Sequence, residues 1–239
     1  MYRWEADMVR FMRDASEYGD YNRRLAGMIA PRLPENCHIC DAGCGLGYLS
    51  LALAPYAAQV TAVDRNPDAL QVLRENCEAR RISNVRIRCG DISAMPSERP
   101  FDSMAFCFFG HIEEILSIAK KQCRGTVFAI KKNYTDHRFS VGVHKGGDDS
   151  YDRAVQYLRE QDIPCEATTL ELEFGQPFRS FEDARRFFVT YSHDGDPDLI
   201  TTAFLEKKLR ETGEPEFPYY LPHKRKLGWL RFETSDIPD

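Results

Sequence analysis

Residues 39–50 read ICDAGCGLGYLS. Two apolar residues and an acid lead into three glycines, Gly43, Gly45 and Gly47, set at alternate positions. The segment before them has the apolar run of a buried strand, and the segment after them opens a helix. Glycine gives up more backbone order on folding than any other residue, but it tolerates positive φ and lets another backbone or a ligand come close. One glycine suffices for a tight strand-to-helix turn. Three predict a ligand resting on the turn, against the start of the helix.

The pattern around this turn alternates short β-like runs with helical ones, the mark of a parallel sheet covered by helices. A strand over 37–41 precedes the glycines and a helix over 46–56 succeeds them. QVTAVD, 59–64, reads as a second strand. The next helix has Asn66 as N-cap and Pro67 at its first position, with Ala69, Leu70, Leu73 and Cys77 on its apolar face. NVRIRCGD, 84–91, alternates apolar and polar residues, as an edge strand does. FDSMAFCFF (101–109) and GTVFAIKK (125–132) are the fourth and fifth strands, with a helix over 111–122 between them. A polar loop over 133–149, a helix over 150–161, a sixth strand over 165–174 and a seventh over 226–233 complete the set.

Two additions flank this core. Residues 4–30 read as two helical segments broken near Gly19, closed by Pro31 and Pro34. Between the sixth and seventh strands, SFEDARRFFVTYS opens with Ser180 and Asp183 in capping-box spacing. DPDLITTAFLEKKLRETG then reads as a helix from Asp196 to Gly213. The expectation is one domain: N-terminal helices over 1–34, an α/β core over 37–174 and 224–234, and a helical insertion over 178–222.

Composition sets limits. The chain has 239 residues, 43% hydrophobic and 29% charged, with a net charge of -5. That suits a globular protein and argues against a general nucleic-acid binder. No apolar run reaches the roughly 18 residues of a membrane helix, and the N-terminus is too charged for a secretory leader, so a cytoplasmic location is expected. The eight cysteines include a CxxC at Cys37 and Cys40, with Cys44 shortly after. The pair straddles a buried strand, so these read as small core side chains rather than disulfide, redox or zinc positions; no metal site is expected.

Two side chains beside the glycines narrow the ligand. The nicotinamide fingerprint is GxGxxG or GxGxxA. Starting at Gly43, its sixth position is Tyr48, whose bulk opposes the close helix–strand packing of that fingerprint. Asp41 would repel a pyrophosphate, but would balance a ligand's ammonium group directly or through water.

DAGCGLG, 41–47, resembles the acidic-Gly-x-Gly-x-Gly loop of class I S-adenosylmethionine-dependent methyltransferases, and the resemblance runs in order over about 37–132. It implies a Rossmann-like seven-stranded sheet of order 3-2-1-4-5-7-6 with an antiparallel seventh strand. It implies cofactor contacts from Asp41, Gly43, Cys44 and Gly45. Asp64, with Arg65 beside it, matches the acid that takes both ribose hydroxyls. In CGDI, Asp91 would accept from the adenine amine and Ile92 would pack on the ring. Cys107 ends the fourth strand, which borders the sulfonium and the substrate. The cofactor would be S-adenosylmethionine and the product S-adenosylhomocysteine.

Methyl transfer from a sulfonium needs chiefly alignment of nucleophile, methyl and sulfur, so no catalytic triad is expected and none is found. His111, just past the fourth strand, is the base candidate by position, although a plain helix-start histidine accounts for it as well. His137 and His144, in the polar loop, are weaker candidates. Tyr18 and Tyr21 either cover the cofactor or orient the substrate, or simply pack their helices. No Asn/Asp-Pro-Pro-Tyr/Phe comes after the fourth strand; CFFGH stands there instead. HKRK, 223–226, reads as a solvated edge rather than an RNA contact.

Ten aromatic residues, Phe174 to Tyr220, crowd the insertion. Some must form its own core; others, if they line a pocket, would suit an apolar small molecule. The expected function is methyl transfer to an O or N atom of a small molecule, with the insertion as lid. A non-catalytic binder of the same cofactor, an RNA- or protein-directed methyltransferase and a nicotinamide oxidoreductase are the alternatives.

Overall fold

The computed structural model describes residues 5–96, 98, 100–134, 151–191 and 197–238. His137, His144 and Asp196 lie outside them. Among the described residues, those of 22–133, 151–170 and 227–238 form one compact unit, and those of 5–21 and 171–226 another.

The larger unit is built on five parallel strands: β1 (His38–Ala42), β2 (Gln59–Asp64), β3 (Val85–Cys89), β4 (Phe101–Cys107) and β5 (Cys123–Lys132). With β6 (Glu166–Glu173) and β10 (Lys224–Glu233) they make a seven-stranded sheet of order β3-β2-β1-β4-β5-β10-β6. β10 runs antiparallel to β5, pairing Leu227 with Lys132 through to Glu233 with Thr126. β1, an interior strand, is buried from Ile39 to Ala42. β3 stands at an edge and keeps the half-exposed alternation its sequence carries.

Local chemistry sets the helix starts. α3 (Tyr48–Leu53) begins at Gly47. In α4 (Pro67–Ala79), the Asn66 side chain accepts from the Asp68 and Ala69 amides at 2.9 and 3.1 Å, the expected cap. α5 (Ile112–Gln122) has Glu113 and Glu114 in its first turn and Lys120 and Lys121 in its last, both signs favourable to the helix dipole. Its Ile112, Ile115, Leu116, Ile118 and Ala119 join Phe106, Val127 and Leu230 in the core. α6 (Tyr151–Glu160) approaches closely because the Tyr151 ring fills the space a side chain at 228 would need.

The smaller unit contains α1 (Ala6–Tyr18) and the segment between β6 and β10. α2 (Tyr21–Ile29) comes after the expected break that ends α1. The segment is not purely helical: beside α7 (Phe181–Tyr191) and α8 (Thr202–Lys208) it holds a second sheet, β7 (Gln176–Phe178), β9 (Tyr219–Leu221) and β8 (Arg210–Glu211), in that order. The single helix expected to Gly213 is corrected. A short 3-10 turn, Pro197–Leu199, comes first, Ile200 is buried, and Thr201 opens α8 by accepting from the Phe204 amide at 3.2 Å. The chain then enters β8.

Most of the insertion's aromatic residues face its own core. Phe178, Phe187 and Phe188 pack with Phe11 of α1, and Phe181, Tyr191, Phe204 and Tyr219 lie against them. Phe11 and Phe187 meet edge to face at 5.0 Å. Arg179 forms a fork on the buried Asp14 carboxylate, and Arg10 pairs with Asp183 at 2.7 Å. Ser180 Oγ accepts from the Asp183 amide at 3.1 Å, as the capping box requires, while Asp183 returns to the Arg179 amide rather than to that of Ser180.

Candidate active site

The five parallel strands end along one edge of the sheet, at Ala42, Asp64, Cys89, Cys107 and Lys132. In an open parallel sheet, ligands bind at this edge. The β1–α3 turn is held down by β2: the Gly43 and Cys44 amides both donate to the Val63 carbonyl, at 2.9 and 3.0 Å. Gly43, Gly45 and Gly47 have φ of 69°, 54° and 75°, the left-handed region that favours glycine. Two of them also meet a packing demand. A Cβ on Gly43 would run into the Phe109 ring, and one on Gly47 into the Leu73 side chain.

Asp64 ties three segments together. Its Oδ2 accepts from the Gly45 amide at 2.8 Å and its Oδ1 from the Asn66 amide at 2.9 Å. These two bonds fix the plane of the half-buried carboxylate and leave each oxygen a further lone pair. Asp41 is 1% exposed and its Oδ2 accepts from Ser50 Oγ at 2.6 Å. Burial pushes its pKa up to about 6, against the Ser50 hydrogen bond and with a further push from the Asp64 charge.

On the β3 side, Asp91 Oδ1 accepts from the Ser93 amide at 2.9 Å and hydroxyl at 2.7 Å, and its Oδ2 pairs with the Arg65 guanidinium. The Ser93 bonds, chiefly, and the Arg65 charge hold the Asp91 carboxyl below the usual range. Ile92 is 2% exposed and belongs to the core. Cys44 and Cys107 are half-buried; burial raises the Cys44 pKa well above that of a free thiol, so it is no thiolate nucleophile. His111 is exposed at the N-cap of α5.

The edge thus gathers Asp41, the glycines, Asp64, Arg65 and Asp91 on neighbouring loops. Reading by motif missed Phe109 and Lys131. The signal for Lys131 was a lysine inside the apolar run TVFAIKK. Its side chain is buried, and Nζ donates to the Gly110 carbonyl at 2.6 Å. Among the described residues, no group of His, Cys, Asp or Glu is arranged to hold a metal, and no helix is long and apolar enough to cross a membrane.

Residues 33–140 match a family model described as a methyltransferase domain. Over that stretch the chain is similar to methyltransferase domains. A ribosomal protein L11 methyltransferase from Acetivibrio thermocellus is 38% identical over 78 residues, 32% of this chain and 25% of that one. A ubiquinone biosynthesis O-methyltransferase from Methylocella silvestris is 31% identical over 121 residues, 48% of this chain and 47% of that one. The chain therefore spans less than half the length of these two relatives. The chain shares the fold of solved structures as well. A putative methyltransferase from Bacillus halodurans superposes with a TM-score of 0.56 at 16% identity, over 89% of this chain and 98% of that one. The strand order of this chain's seven-stranded sheet, with β10 in the seventh strand's place, is the one the resemblance implied.

Proposed function

We propose that the chain moves a methyl group from S-adenosylmethionine to an O or N atom of a small molecule by in-line displacement. The observation that carries the reading is Asp64. Its carboxylate is oriented by the Gly45 and Asn66 amides at the carboxyl edge of the sheet, and its remaining lone pairs suit the two hydroxyls of a ribose. The donor set along the edge fits the rest of the nucleoside. Asp91 accepts from an exocyclic amine, with Arg65 fixing its second oxygen, and Asp41 opposes an ammonium group. Ile92, expected to pack on the adenine ring, is 2% exposed in the core and offers the ring almost no surface. The main chain at Gly43, Cys44 and Gly45 underlies the amino-acid portion, and Cys107 borders the sulfonium.

The bound cofactor supplies an activated methyl group. The chain's part is alignment and exclusion of water. His111, where β4 gives way to α5, is the candidate to take a proton from an acceptor that must lose one. The small-molecule assignment is supported by the net negative charge and by CFFGH in place of an Asn/Asp-Pro-Pro-Tyr/Phe run.

Calorimetry with S-adenosylhomocysteine and NAD side by side tests the cofactor: binding of the first and not the second is expected, and the reverse overturns the reading. Incubation of a cell extract with the protein and deuteriomethyl-labelled cofactor tests the acceptor. Label in the small-molecule fraction is expected; label confined to RNA or protein reassigns the substrate, and no label at all marks a binding protein.

A further inference from the structure

Resting on the methyltransferase reading, we propose that Lys131 is a positioning residue: its ammonium fixes the loop after β4 and, through Phe109, sets the glycine turn beneath the reacting groups. Lys131 lies near the end of β5 and is 4% exposed. Burying an ammonium is costly unless it is hydrogen-bonded, so its place in an apolar strand calls for a reason. The ladder supplies one. Cys107 of β4 pairs with Ile130, and the Phe108 amide still donates to the Ile130 carbonyl at 2.9 Å. There β4 leaves the sheet. Phe108 and Gly110 both adopt left-handed backbone, with φ of 56° and 71°. For Phe108 this conformation is strained, so it persists only where its surroundings hold it.

Lys131 Nζ catches the Gly110 carbonyl at 2.6 Å, on the far side of the bend. Between these two left-handed residues stands Phe109. Its ring stacks on Phe106 with centroids 6.3 Å apart and planes 17° from parallel, and it occupies the space over the Gly43 α-carbon. A continuous path therefore runs from Lys131 to Gly110, Phe109 and Gly43. It joins the strand end nearest the acceptor side to the turn that would carry the cofactor. Neither the glycine motif nor the acid of β2 includes this path.

A double-mutant cycle tests it, with S-adenosylhomocysteine affinity read by calorimetry. Lys131→Met is expected to weaken binding about tenfold, as loss of a charge-assisted hydrogen bond would. In a Phe109→Ala background the same change is expected to cost less than about twofold, because the link to Gly43 is already cut. Equal weakening in both backgrounds, or unchanged affinity in Lys131→Met, overturns the proposal; a merely structural lysine gives the first of these. Should Lys131→Met not fold, Lys131→Leu, which also removes the donor, carries the same cycle with the same outcomes. A folded wild-type protein with no affinity for S-adenosylhomocysteine sinks the methyltransferase reading itself, and this proposal with it, and is distinct from either failure of the cycle.

Discussion

Asp41→Asn isolates the cost of the buried acid in the glycine turn. The carboxyl is 1% exposed, and burial raises its pKa from 3.8 to about 6. Burial favours the neutral acid, so its contribution to folding is full below about pH 4 and is lost as the pH rises through about 6. At about 1.4 kcal/mol per pKa unit, the ionised form costs the folded state about 3 kcal/mol at neutral pH. The amide has the same shape, can still accept from Ser50, and never ionises. The variant should match the wild type near pH 4 and exceed it by about 3 kcal/mol at pH 7 to 8, the gap opening between pH 4 and 6. Urea unfolding across that range measures it, with Trp229, 1% exposed on β10, as the fluorescent reporter within the same sheet. A gap that does not change with pH, or a wild type more stable than the variant at pH 8, refutes the reasoning.

The same acid gives a ligand signature. An ammonium placed near Asp41 lowers its pKa, so binding S-adenosylhomocysteine at pH 6 should release part of a proton, seen as a calorimetric enthalpy that depends on the buffer's ionisation heat; no buffer dependence removes Asp41 from the ammonium. Asp64→Ala removes the acceptor of the Gly45 and Asn66 amides and should weaken S-adenosylhomocysteine binding by about 1–3 kcal/mol, measured by calorimetry on protein shown to be folded. Gly47→Ala forces a Cβ into Leu73 at φ 75° and should cost about 2–4 kcal/mol of stability in the same urea assay. Phe11→Ala should cost about 3–5 kcal/mol, since Phe11 is fully buried among Phe178, Phe187 and Tyr191; a loss under about 1 kcal/mol would mean that those rings do not depend on it.

The parallel sheet was legible because each central strand is a short apolar run closed by a helix signal of different period. Asn66-Pro67 announced α4 by its chemistry alone. The place of the antiparallel strand came from the family resemblance; periodicity says nothing of strand order. β7, β8 and β9 were missed because two or three residues are too few to show alternation. The helix read from 196 to 213 failed because residues with helix-compatible side chains are interrupted where Ile200 must reach the core and Thr201 caps a new start. The glycine turn was read in part. Its left-handed backbone was foreseen, but clearance at Gly43 and Gly47 goes to Phe109 and Leu73, partners 66 and 26 residues along the chain. Which way the insertion's aromatic rings face was equally hidden, since their partner Phe11 lies near the other end of the sequence.

That last separation shapes how the protein is made. Phe11 and Gln176, joined by a side-chain hydrogen bond to the Phe11 carbonyl, are 165 residues apart. At ribosomal speeds of about 5–20 residues per second, α1 leaves the ribosome on the order of 10–30 s before its packing partners exist. Throughout that interval the apolar stripe of a nascent helix has nothing of its own to cover it. Synthesis itself thus imposes a waiting time in which chaperones, or neighbouring nascent chains, compete for the surface that Phe178 and Phe187 will finally claim.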